Sequence, residues 1–154
     1  MSRWRDEAGA AVVEFIFLGV LVLVPLFYVA IAGFEVQANV FATTQAAREA
    51  GRVVATAPDV STGVFRAEYA VRLAYQDTGA TGDAVLRFVP SGDSCDSGAP
   101  APDPGAASVD AGATFTVCVV NRLNVPGVPT FMEGKPKTYT ARYEVQIDKL
   151  RKAR

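Results

Sequence analysis

The stretch EAGAAVVEFIFLGVLVLVPLFYVAIAGF, residues 7–34, decides how the rest of the chain is read. Residues 15–34 carry no charge. At 1.5 Å per residue a helix of that length spans about 30 Å, the thickness of a bilayer's hydrocarbon core. The run therefore predicts one membrane-crossing helix in contact with the lipid bilayer. One residue does not suit it. Glu14 stands at its head, and a carboxylate inside hydrocarbon costs about 2.5–3.5 kcal/mol on insertion scales, so it normally has a partner. No Lys or Arg lies between Arg5 and Arg48 to serve.

Composition narrows the remainder. A net charge of −1 offers no basic surface, so nucleic acid is not an expected partner. The chain has no histidine, which removes the usual general base, the usual zinc ligand and the Ser-His and Cys-His pairings together. No nucleophile–base or metal constellation stands out, so the reading is of a protein that is not an enzyme, with no cofactor and no metal. Ahead of the apolar run, Arg3 and Arg5 are offset by Asp6 and Glu7. Long polar domains translocate largely regardless of their charge. With so little chain before the helix, the N-terminus is expected in the cytosol and the C-terminal domain outside. Cys95 and Cys118 agree, because an even pair in an exported domain forms a disulfide more often than a metal site.

Helical character continues past the membrane edge. Over residues 35–57, Val36, Val40, Ala47, Ala50 and Val54 recur at helical steps, with Thr43 filling the gap. Gln37, Gln45, Arg48 and Arg52 take the opposite face, and Pro58 closes the element. Pro25 and Gly33 are the expected places for a bend. Residues 61–76 predict a second, shorter helix with an ill-defined apolar stripe. After it the period changes to two. Residues 84–89 and 114–120 read as strands, and 138–148 most clearly so. There Tyr139, Ala141, Tyr143, Val145 and Ile147 take one face, and Thr138, Thr140, Arg142, Glu144, Gln146 and Asp148 the other. That alternation predicts an antiparallel sheet with one dry and one wet face, the dry face covered by the amphipathic half of the long helix. Tyr139 and Tyr143 are read as core.

The connections are irregular. Residues 90–112 are crowded with Gly, Pro, Ser and Asp and predict a long exposed loop. Cys118 falls on the side of its strand away from Phe115, Val117 and Val119. A bond to Cys95 would thus staple this loop to the sheet's outer side or edge. Asp93, Asp96, Asp103 and Asp110 lack the regular ligand spacing of a calcium loop and read as solvated turns. EGKPK at 133–137 lacks phosphate-loop spacing. Phe131–Met132 reads either as a contact tip or as a loop tucked under the sheet. The basic end, Lys149, Arg151, Lys152 and Arg154, reads as a solvated tail or as a contact for anionic headgroups or a cell-wall polymer.

Glu14 and Gly9 explain one another if the chain is cut between Gly9 and Ala10. A new α-amino group then appears four residues before Glu14, one helical turn away on the same face. The cut creates the cation that the glutamate lacks. Two other readings compete. A helix beginning just after Glu14 would leave the carboxylate at the interface, near the favourable end of the dipole. A secretory signal cut before Gly33 satisfies the small-residue rule through Ala30 and Ala32, although the run is long for one and Glu14 intrudes.

Gly9, Ala10, Val12, Glu14 and Phe15, behind a short charged leader that includes Arg5 and ahead of the apolar run, resemble the processing site of type IV prepilins. The chain is similar to the TadE-like minor pilins of tight-adherence (Flp) pilus systems, with TTQAAREAGRVVA at 43–55 as the Ala/Arg-rich continuation. Asp6 and Glu7 make the leader less basic than such proteins usually carry. The resemblance implies a leader at 1–9, a transmembrane helix at 10–34, its amphipathic continuation at 35–57 and an exported α+β domain at 58–154, pilin-like in plan. It also implies cleavage after Gly9 by a prepilin peptidase, and residence in the cytoplasmic (inner) membrane as a single-pass protein, with the pilus or cell surface as a further destination. Glu14 and Phe15 would act in assembly with other pilins, minor pilins and a membrane assembly platform. The alternative is a membrane-anchored extracytoplasmic binding module with no filament role.

Overall fold

The computed structural model describes residues 3–123 and 137–151, and the side chains of 12–122 and 138–151. The order is α1 (Arg3–Thr56), α2 (Val60–Thr78), β1 (Asp83–Pro90), β2 (Thr114–Leu123) and β3 (Lys137–Gln146). The fold is α+β. The chain divides into two compact units, Met1–Phe34 and Glu35–Arg154.

In the first unit α1 is helical throughout and Pro25 lies inside it. From Val12 to Phe34 every large apolar side chain is exposed, and the helix is long and apolar enough to cross a membrane.

The second unit is built on a three-stranded antiparallel sheet in the order β1-β2-β3. Register places Phe88 opposite Val117 and Val117 opposite Tyr143. Leu86, Phe88, Phe115, Val117, Val119, Val145 and Ile147 form the dry face, with Phe88 and Phe115 edge-to-face at 6.2 Å. The last turns of α1 and one face of α2 cover it.

The buried arc of α1 is wider than its apolar pattern suggests. Asn39, Ala42, Thr43, Ala46, Ala47, Ala50, Gly51 and Val54 are buried. The expected Val40 is 41% exposed, and Val36 is only half-buried. The reason is that α1 packs on both the sheet and α2, so small residues at several helical angles are enclosed together. Gly51 shows how close the sheet comes. A Cβ there would stand 2.5 Å from Cδ1 of Tyr143 and 2.8 Å from Cγ2 of Val145. Tyr143 lies along the helix flank at 38% exposure rather than in the core.

Helix α2 starts and stops on local chemistry. Asp59, in extended conformation, accepts from the Thr62 N–H at 2.8 Å, the arrangement of an N-cap. Donation from the Ser61 hydroxyl and from Thr62 holds the Asp59 carboxyl down at about 2. Gly79 closes the helix at φ 64°, where a Cβ would be strained. The stripe that the sequence left ill-defined is Gly63, Val64, Ala67, Val71, Ala74 and Tyr75.

Candidate functional site

The candidate processing and assembly residues share one helix. Gly9, Ala10, Glu14 and Phe15 all fall within α1. Four residues of helix rise about 6 Å and turn a little more than once, so positions 10 and 14 lie on one face. Glu14 and Phe15 are exposed. Among the described residues the one ion pair is Arg52–Glu49 at 2.7 Å, so Glu14 has no described cation against it.

Cys95 and Cys118 are joined by a disulfide. Cys118 sits on the face of β2 away from the helices, beside Val89 and Val120, and all are buried together with Cys95. This corrects the expectation of a wet outer face. The loop at 91–112 covers the middle of the outer side of β1 and β2, leaving exposed there the even-numbered residues of β3 with Asp83, Thr114 and Arg122 at the strand ends. The loop also pairs with β1: Ala101 donates to the Leu86 carbonyl at 2.8 Å and Ala106 to that of Phe88 at 3.2 Å. Its aspartates serve the turns, Asp103 accepting from Gly105 N–H and Asp110 from the Ser108 hydroxyl. Among the described residues no group of three or more His, Cys, Asp or Glu is placed to hold a metal.

Sequence reasoning missed a buried polar cluster. Asn39 donates to the Glu35 carbonyl at 2.8 Å, and its Oδ1 accepts from Nδ2 of Asn121 at 2.9 Å. The Thr43 hydroxyl donates to the Asn39 carbonyl at 2.6 Å. Its single proton is thereby used, so the 2.6 Å contact with Tyr75 is a bond that the phenol donates. Burial raises the Tyr75 pKa above the ordinary phenol value, and the bond to Thr43 opposes the shift. These groups tie α1, α2 and β2 in one orientation. The signal was available in principle: an Asn at a core step of α1 and another in an otherwise apolar strand.

The basic end is also corrected. Arg151 is not solvated tail. Its guanidinium donates to the carbonyls of Ala55, at 2.6 Å, and Ala57, satisfying groups that the end of α1 leaves open. Lys152 and Arg154, the EGKPK stretch up to Pro136 and Phe131–Met132 lie outside the described residues.

No protein-family model, curated protein or solved structure matches this chain.

Proposed function

We infer that this chain is a minor pilin, or pseudopilin, of a tight-adherence type IV pilus system. The observation that carries the reading is Glu14, set on a helix four residues past Ala10 and followed by a run of uncharged residues up to Phe34. A prepilin peptidase cuts after Gly9. The freed α-amino group of Ala10, on the same chain or on a neighbour, becomes the counter-ion of Glu14. The apolar part of α1 holds the protein in the cytoplasmic membrane, with Glu35–Arg154 outside, and packs against other pilins during assembly. The disulfide between Cys95 and Cys118 suits an oxidising compartment.

Glu14 is an assembly determinant here, and Gly9 a substrate determinant for another enzyme. Intact mass of the protein from its native host should correspond to a chain that begins at Ala10. Glu14→Ala should leave membrane insertion intact and abolish productive assembly, while Gly9→Leu should leave the leader attached. Normal pili from a strain carrying only Glu14→Ala would remove the electrostatic basis of this reading. A mature start at Gly33, or an uncut start, would remove the processing step.

A further inference from the structure

Cys118 stands between two arginines. Its cross-strand neighbours are Arg87 on β1 and Arg142 on β3, and all three share the outer face of the sheet. Residues directly opposite one another hold their Cβ atoms about 4.5–5.5 Å apart, so both side chains start beside the sulfur. Neither guanidinium is matched by a carboxylate: among the described residues the one ion pair, Arg52–Glu49, involves neither. The acids of the same surface are Asp93 and Asp96 on the loop and Glu144 on β3. All three are exposed. The Nε of Arg87 is buried and has no hydrogen-bond partner among the described residues.

What the arginines do hold is the loop around Cys95. Arg87 donates through Nη1 to the carbonyls of Cys95, at 3.3 Å, and Asp96, at 3.2 Å, and Arg142 donates to that of Asp93. Glu144 accepts from the Ser91 hydroxyl, and Ala101 and Ala106 donate to β1. None of these bonds needs the disulfide. The two sulfurs are also placed unequally. Cys95 keeps 6% of its surface exposed, while Cys118 has none and lies with Val89 and Val120. A thiolate enclosed by valines is costly, and neighbouring guanidiniums offset that cost. The sulfur open to attack is therefore that of Cys95, and the sulfur fitted to carry negative charge is that of Cys118.

We propose that Cys95–Cys118 is a thiol–disulfide exchange site that accepts two electrons from a dithiol while its loop stays docked, with Arg87 and Arg142 as positioning residues for the Cys118 thiolate. One thiolate of the dithiol attacks Sγ of Cys95. The bond to Cys118 breaks, and its electron pair leaves on Sγ of Cys118, where the cations speed departure. The second thiol of the dithiol loses its proton to water and attacks the dithiol's own sulfur in the mixed disulfide. Cys95 leaves as a thiolate and takes up a proton. The dithiol is oxidised to a disulfide, and the protein is reduced to two cysteines. In reverse, the Cys118 thiolate attacks a mixed disulfide at Sγ of Cys95 and closes the bond again. All of this lies in the second unit and does not rest on the filament reading.

The test uses the full chain in detergent micelles, with dithiothreitol as the dithiol. Reduction should leave the Ala101 and Ala106 N–H groups as protected from hydrogen exchange as before, and removing the reductant should return the bond within the monomer. Cys95→Ser leaves Cys118 as the one thiol. Its thiolate is read by ultraviolet absorbance, as the difference from the protein lacking both cysteines. Adding Arg87→Gln should raise the pH of thiolate formation by about one unit or more, because an adjacent cation is lost. Arg87→Lys keeps the charge but not the paired carbonyl bonds, and should titrate near the parent. Arg142→Gln, at a more exposed position, should shift the same way by less, and supplies the comparison if Arg87→Gln does not fold. Loss of protection at Ala101 and Ala106 on reduction would overturn the proposal, since the disulfide would then be a staple the loop requires. Titration unmoved by either glutamine, or moved as far by Arg87→Lys as by Arg87→Gln, would overturn it too, leaving the arginines as loop holders alone.

Discussion

Gly51 is where α1 and the sheet come closest, and Gly51→Val tests whether that contact sets the packing of the second unit. Helix propensity alone favours the change, by about 0.4 kcal/mol, because glycine is the poorer helix former. Packing opposes it. The first added carbon would stand 2.5 Å from the Tyr143 ring and 2.8 Å from a Val145 methyl, where ordinary contact needs roughly 3.5–4.0 Å. Something must yield by about 1 Å. Tyr143, 38% exposed, can swing outward, but Val145 is buried and its strand is pinned to β2, so the helix itself must lift. Overpacking of this kind costs about 1–3 kcal/mol, and two further methyl carbons place valine at the upper end. The net expectation is a loss of about 2 kcal/mol, which lowers Tm by roughly 6–10 °C for a unit of this size. Thermal unfolding of Glu35–Arg154, followed by near-ultraviolet circular dichroism, reads it directly. An unchanged or raised Tm would show that the helix does not rest on Tyr143 and Val145 as described.

Three other outcomes follow from the same contacts. Replacing both cysteines, Cys95→Ala with Cys118→Ala, opens a loop closed over a sequence separation of 23 and should cost about 3 kcal/mol by denaturant titration. Arg151→Ala strands the Ala55 and Ala57 carbonyls at the end of α1 and should cost about 1–2 kcal/mol, while Arg151→Lys recovers only part of it because one ammonium cannot span both. Asp59 should make stability fall in acid. Its carboxyl is held below the ordinary value of 3.8, at about 2, so its contribution is full above pH 4 and is lost as pH falls through 2. Asp59→Asn, which caps without titrating, should remove that part of the pH dependence, and identical acid profiles for the two proteins would contradict it.

How much of this was legible in the sequence depends on what each pattern encodes. Strand alternation was decisive where one face is buried and the other wet, as in Val145 and Ile147 against Glu144 and Gln146. It was silent on the outer residues Thr116 and Val120 of β2, which are buried beside Cys118. Those residues are covered by a loop whose own composition looks solvated, and nothing in a Gly/Pro/Ser/Asp tract says that it lies down on a sheet. The cysteines alone carried that information. Asn39 and Asn121 were passed over for a related reason. A period search scores hydrophobicity, and a buried amide is invisible to it until its partner, distant in sequence, is known. Arg151 was read as tail because the acceptors it reaches are backbone carbonyls of an element remote in the chain.

Residue size separates the two halves of α1 better than hydropathy does. Between Val12 and Phe34 the apolar residues are predominantly bulky, and all the bulky ones are exposed. From Asn39 onward the buried positions are Asn39 itself and then Ala, Gly, Thr and Val, and the bulky Phe41 is turned outward. Lipid imposes no close approach, so large side chains gain contact area at little packing cost, whereas a sheet or second helix resting on α1 demands small ones. The change from large to small thus marks where the helix stops facing bulk solvent or lipid and begins to carry protein. Glu14 lies on the bulky side of that change, itself exposed among exposed apolar residues, and on the reading proposed above its counter-charge comes from a new chain end or a neighbouring helix.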